Sequence, residues 1–165
     1  MRLTYCNGWS YLRKRPGEIL SEEQAKRAHE DGTLYSVLVG DPERPDCLIH
    51  VRFEVGYVGV NFFDSELRVY LSYDFDKQPD DRMFLSAATT REFGGNSGNP
   101  SLLAIYRFFP DSRVLMRREY SDGHAEDAKS FTDVSGNWEA MPSFGKYDSL
   151  IRVERPPVSG MTATA

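Results

Sequence analysis

The sequence predicts an α+β fold: a predominantly antiparallel, curved β-sheet of about seven or more strands with one short N-terminal helix. Three observations carry that reading. Apolar and polar residues alternate with a period of two along much of the chain, which is the pattern of strands with one buried face. One segment alone carries both the start and the stop signals of a helix. Clusters of Gly, Pro, Asp and Ser interrupt the alternating runs at hairpin spacing. A β-sandwich uses the same alternation and is the second architecture the pattern fits.

The helix is expected over residues 21–30. Ser21 is followed three positions later by Gln24, the spacing of a reciprocal capping box. Glu22 and Glu23 occupy the first turn, where the helix dipole favours negative charge, and Gly32 follows as C-cap. Its apolar stripe of Leu20, Ala25 and Ala28 is thin, which places it at an edge or end of the sheet. A strand is expected at 34–39, broken at 40–46 by Pro42 and Pro45. Over 47–55, Ile49, Val51, Phe53 and Val55 share one face and His50, Arg52 and Glu54 the other. The run 56–63 is β-rich, with Gly56 and Gly59 marking a bulge or a close backbone approach and expected to curve the sheet. Asp64-Ser65-Glu66 reads as a tight turn into 67–76, where Leu67, Val69, Leu71, Tyr73 and Phe75 face in and Arg68, Ser72, Asp74 and Asp76 face out. Further strands are expected at 83–89 and 149–153, with a hairpin of 102–109 and 113–120 around Pro110-Asp111-Ser112. Residues 1–155 form a single globular domain, and 156–165 read as a flexible tail.

Composition narrows the function classes. Twenty basic residues against 25 acidic ones give a net charge of −5, and the pI is near 5.2. This balance disfavours broad electrostatic binding to nucleic acid or to an anionic membrane. Arg2, Asn7, Arg13, Lys14 and Arg15 interrupt the first twenty residues, and no apolar run reaches the length of a membrane span, so a cytoplasmic protein is expected. Cys6 and Cys47 are read as buried thiols rather than a disulfide framework.

The motifs are mostly negative for catalysis. The glycine-rich loop 94–100 lacks the Lys-Ser/Thr ending of a phosphate loop and leads into a β-type run. His29, His50 and His124 are far apart, and neither cysteine belongs to a C-x-x-C pair, so no metal or other cofactor is expected. Asp74-Phe75-Asp76 opens like a calcium loop but has Pro79 and Leu85 where that loop needs Gly and Glu. Charge distribution says more. Residues 64–81 carry Asp64, Glu66, Asp74, Asp76, Asp80 and Asp81 against Arg68 and Lys77, and 122–139 form a second acidic stretch, whereas 91–120 are mildly basic. Solvated faces account for this pattern, and so does an acidic docking surface for a basic protein. Trp138, Phe144 and Tyr147, set among turn residues, either close the core or anchor an interface.

The size, the acidic balance, the hairpin spanning residues 51–75 and the ending GNWEAMPSFGKYDSLIRVERP resemble the immunity proteins with which bacteria neutralise polymorphic or contact-delivered toxins. The resemblance implies a cytosolic protein without catalytic residues. Such a protein binds a cognate toxin domain, expected here to have a basic cleft, and occludes its active site. Asp64, Glu66, Asp74, Asp76, Asp80, Asp81 and Trp138 are the partner-binding candidates. Two alternatives stand beside it: a small hydrolase using Asp74, Asp76 and His50, and a β-cup that holds a small ligand. Since no ligand cluster has usable spacing, a chelator is expected to leave the melting temperature unchanged; a stoichiometric zinc or calcium ion in the purified protein would contradict this reading.

Overall fold

The computed structural model describes residues 1–157. Along the chain run β1 (Leu3–Cys6), β2 (Trp9–Ser10), β3 (Arg15–Pro16), α1 (Glu22–Asp31), β4 (Tyr35–Asp41), β5 (Arg44–Arg52), β6 (Tyr57–Phe63), β7 (Val69–Lys77), β8 (Met83–Phe93), β9 (Pro100–Phe108), β10 (Arg113–Tyr120), β11 (Ala125–Phe131) and β12 (Trp138–Glu139). Ten strands form one antiparallel, unclosed sheet in the order β1-β4-β5-β6-β7-β8-β9-β10-β11, with β12 paired to the start of β8. From β4 to β11 each strand pairs with the next in sequence, the simplest path for hairpin-joined strands. The short β2–β3 hairpin stands apart. No helix among the described residues is long and apolar enough to cross a membrane.

The helix forms as its caps dictate. Ser21 and Gln24 exchange side-chain and backbone hydrogen bonds, and Gly32 ends the helix in the left-handed conformation. Only Ala25 of α1 is buried, and the helix packs against β1 and β4, at one end of the sheet.

One face of the sheet carries the main core. Tyr35, Val37, Ile49, Val51, Val58, Val60, Leu71, Tyr73 and Phe75 are buried there with Tyr147 and Leu150 from the C-terminal segment. The opposite face has a smaller cluster of Cys6, Trp9, Leu38, Leu48 and Phe63. Cys6 and Cys47 therefore belong to opposite faces, and both are free thiols. Burial pushes them up to about 11 and about 12 respectively.

Four strand expectations are corrected. The strand expected to Val55 ends at Arg52; Phe53–Val55 is a turn of 3-10 helix, and Val55 is 59% exposed. In β7 the register shifts between the Leu71 and Val69 pairings, because Phe62 opposes Leu71 whereas Phe63 opposes Val69. The extra residue reverses the alternation, so half-buried Leu67 and Val69 pack on the smaller cluster instead of beside Leu71. Residues 149–153 are a turn rather than a strand, drawn inward by fully buried Leu150. The second acidic stretch contains β11, which its composition hides: every residue of that edge strand is exposed, so no apolar alternation marks it. Of the expected tail, Pro156 and Pro157 are described, and 158–165 lie outside the described residues.

A single helix cannot cover a ten-stranded sheet, and the C-terminal segment supplies the rest. The Arg155 guanidinium lies over the rings of Phe75 and Tyr73, at 4.8 and 5.5 Å. It donates to the Glu139 carboxylate at 2.6 Å and to the carbonyls of Ser149 and Leu150. Both ends of this ion pair are buried, with side-chain exposures of 4% and 7%. Gly136 permits the closure, because a Cβ there would collide with the carbonyl oxygens of Arg155 and Pro156. At the other end, His29 of α1, Tyr35 of β4 and Tyr147 form a hydrogen-bonded chain with links of 2.8 and 2.9 Å. Leu71→Ala is expected to cost about 2–5 kcal/mol of stability, read from the shift in denaturant midpoint; an unchanged midpoint would overturn the assigned register.

Candidate functional site

The face opposite the main core presents the polar chemistry of this protein. Strand pairing aligns one row across it: Ser36, His50, Gly59, Asp74, Ala87, Arg107, Leu115 and Lys129 lie opposite one another in turn. A second row runs Tyr57, Asp76, Phe84, Trp138. Side chains in such rows are cross-strand neighbours.

Three partner-binding candidates meet here. Half-buried Asp74 accepts a hydrogen bond from the Tyr57 hydroxyl at 2.6 Å. The Tyr57 ring lies across Gly59, where any Cβ would collide with the phenol oxygen, so the glycine makes room for the aromatic. Burial first, and then this hydrogen bond to Asp74, push the Tyr57 hydroxyl well above its usual range. Asp76 is exposed and accepts from Ser86. Trp138 packs against Phe84 at 4.8 Å between ring centroids, and the Arg82 guanidinium covers it at 4.0 Å.

The other acidic candidates sit in the turns at either end of β7. Asp80 pairs with Arg82 at 2.6 Å, beside Trp138, and Asp81 pairs with Lys77 at 2.9 Å. Asp64 pairs with Arg68 at 2.8 Å and accepts backbone N–H groups of Glu66 and Arg68. Burial raises the Asp64 carboxyl, but these hydrogen bonds outweigh it and hold the group below the usual carboxylate range. Glu66 is exposed, and its carbonyl accepts from Lys14 at 2.7 Å. The structure thus gathers Asp74, Asp76, Asp80, Asp81 and Trp138 into one region. Asp64 and Glu66 lie at the far end of a nine-residue strand, roughly 30 Å away at the rise of an extended chain.

Beside Asp74 a shallow groove of about 500 Å³ runs toward β11, floored by Ile105 and Leu115 and flanked by Arg107, Arg117 and Asp127. Sequence reasoning passed over Arg107 and Ile105, whose signal was their alternation on one side of β9. A second groove of about 390 Å³ lies between Tyr11, Lys14, Arg68, Arg91 and the loop 94–100. That loop turns the carbonyls of Gly95 and Ser97 toward Arg68, whose guanidinium donates to both.

The hydrolase constellation does not assemble. His50 and Asp74 are two strands apart, with Tyr57 across the intervening glycine, and His50 Nδ1 is hydrogen-bonded to Ser36 at 2.8 Å. Among the described residues no group of three or more His, Cys, Asp or Glu could hold a metal ion.

Burial lowers the pKa of both His50 and His29 from the ordinary 6.5. In the unfolded chain these imidazoles take up protons at a higher pH than in the native state, so stability is fully present above about pH 6.5 and is lost as the pH falls through it. Melting temperatures are expected to drop between pH 7.5 and 5.5, and His50→Gln is expected to reduce that drop. A flat profile across this window would refute the assignment.

No family model, curated protein or solved structure matches this chain.

Proposed function

We propose that this chain is a cytosolic, non-catalytic immunity protein that binds a cognate antibacterial toxin domain and occludes its active site. The observation that supports this reading is the grouping of Asp74, Asp76, Asp80, Asp81 and Trp138 on and beside the sheet face opposite the main core. An aromatic anchor ringed by carboxylates suits a basic cleft: the ring supplies contact area at low entropy cost, and the charges steer encounter and set orientation. The carboxylates are already positioned by Tyr57, Ser86, Arg82 and Lys77, so little ordering remains to be done on binding. A toxin domain that acts on an anionic substrate would meet these groups as mimics of that substrate's charge.

The test uses the product of the gene immediately upstream, with the immunity protein intact. Co-expression is expected to relieve that product's toxicity, and the two purified proteins are expected to associate. Replacing Asp74 and Asp76 together with lysine is expected to slow association about tenfold or more at low salt, with the difference shrinking as salt is raised. Salt-independent association, unchanged in the double reversal, would exclude the acidic face.

A further inference from the structure

We infer that this protein is a two-fold symmetric dimer in which β11 pairs antiparallel with β11 of a second copy, making one sheet continuous across both. The inference stands apart from the toxin-binding reading, since it rests on an edge strand of the sheet and not on the acidic face around β7. Strand β11 ends the path of paired strands, and all seven of its residues are exposed, so its outer edge carries unpaired backbone groups. The adjoining hydrogen bonds fix which residues those are. Tyr120 N donates to His124 O, and Thr132 N donates to Ser112 O, so the even-numbered residues of β11 bond inward to β10. Odd-numbered Ala125, Asp127, Lys129 and Phe131 therefore direct their N–H and C=O groups outward.

Charge then selects one register. With the two-fold axis at Ala128, Asp127 of each copy faces Lys129 of the other, and Ala125 faces Phe131. All four of these pairings are between outward-directed residues, so each can exchange two backbone hydrogen bonds. Shifting the axis to Asp127 or to Lys129 sets like charges directly opposite, which is unfavourable. The side chains are available for this role. Lys129 has no hydrogen bond or ion pair with the described residues, and Asp127 has only an exposed pairing with Arg117. Phe131, 68% exposed in the single chain, would lie against Ala125 of the second copy.

The measurement is sedimentation equilibrium of the full chain at micromolar concentration. The parent is expected at about twice 18.8 kDa. Lys129→Asp places carboxylates opposite each other twice per dimer and is expected to weaken dimerisation about tenfold. The swap Asp127→Lys with Lys129→Asp restores both opposite-charge pairs and the original net charge, and is expected to recover the dimer. Ala128→Cys puts two thiols at the axis in a non-hydrogen-bonded pair, where the strand separation of about 4.5 Å admits a disulfide, and is expected to cross-link under mild oxidation. Circular dichroism, expected to be unchanged for these exposed sites, excludes misfolding as the cause. A parent that sediments as a monomer would overturn the inference. So would a dimer that is indifferent to the charge reversal, or one that the swap fails to restore.

Discussion

The architecture depends on how one face of a wide sheet is kept from water. Ten strands place more apolar surface on the core side than the single helix can hide, and α1 packs against β1 and β4 at one end of the sheet. The remainder is closed by a segment with little regular structure, pinned by the buried pair of Arg155 and Glu139. Arg155 suits this position because its planar cation lies flat on Phe75 and Tyr73 while its edge satisfies a carboxylate and two carbonyls. Removing Glu139 would leave the Arg155 cation without its carboxylate in a buried setting, whereas Glu139 also pairs with Arg152 at 2.7 Å.

Because the core side is sealed this way, the opposite face is left free to carry polar side chains in fixed positions. Tyr57 is bound to Asp74, Ser36 to His50, and Asn61 to Ser72, which in turn accepts from Arg91. Pairing across adjacent strands holds each group in a defined orientation, and Gly59 opens the space into which the Tyr57 ring folds. The result is a surface of polar groups held in fixed positions rather than a set of mobile charges. Its acidic character is local, since cations from the basic second hairpin, Arg107 and Arg117, border the same groove.

Beyond β8 the sheet leaves its covering elements behind. Strand β10 buries Val114 alone, and β11 buries nothing. Strands in that position are held by cross-strand pairs such as Arg117 with Asp127 and by backbone hydrogen bonds, and surface ion pairs contribute little on their own. A platform of this kind gains most from a partner that extends the sheet at its edge.

Local pattern determined a large part of this molecule. The helix with both caps, the β9–β10 hairpin, and the inward set Leu71, Tyr73 and Phe75 are all legible because each obeys a short-range rule: cap spacing, turn chemistry or period two. The outward placement of Asp74 and Asp76 follows from the same alternation. What only the tertiary structure decided lies where that rule breaks or is silent. An extra residue in β7 moved Leu67 and Val69 to the other face; an edge strand with no buried residue formed against β10; and a charged residue at position 155 became the clamp of the core. Which of the carboxylates within 64–81 lie together was likewise left to the fold, since nearness in sequence becomes nearness in space only through strand length and register. Alternation reports which side a residue faces, but pairing partners, bulges and the burial of charge are set by contacts between segments far apart in the chain.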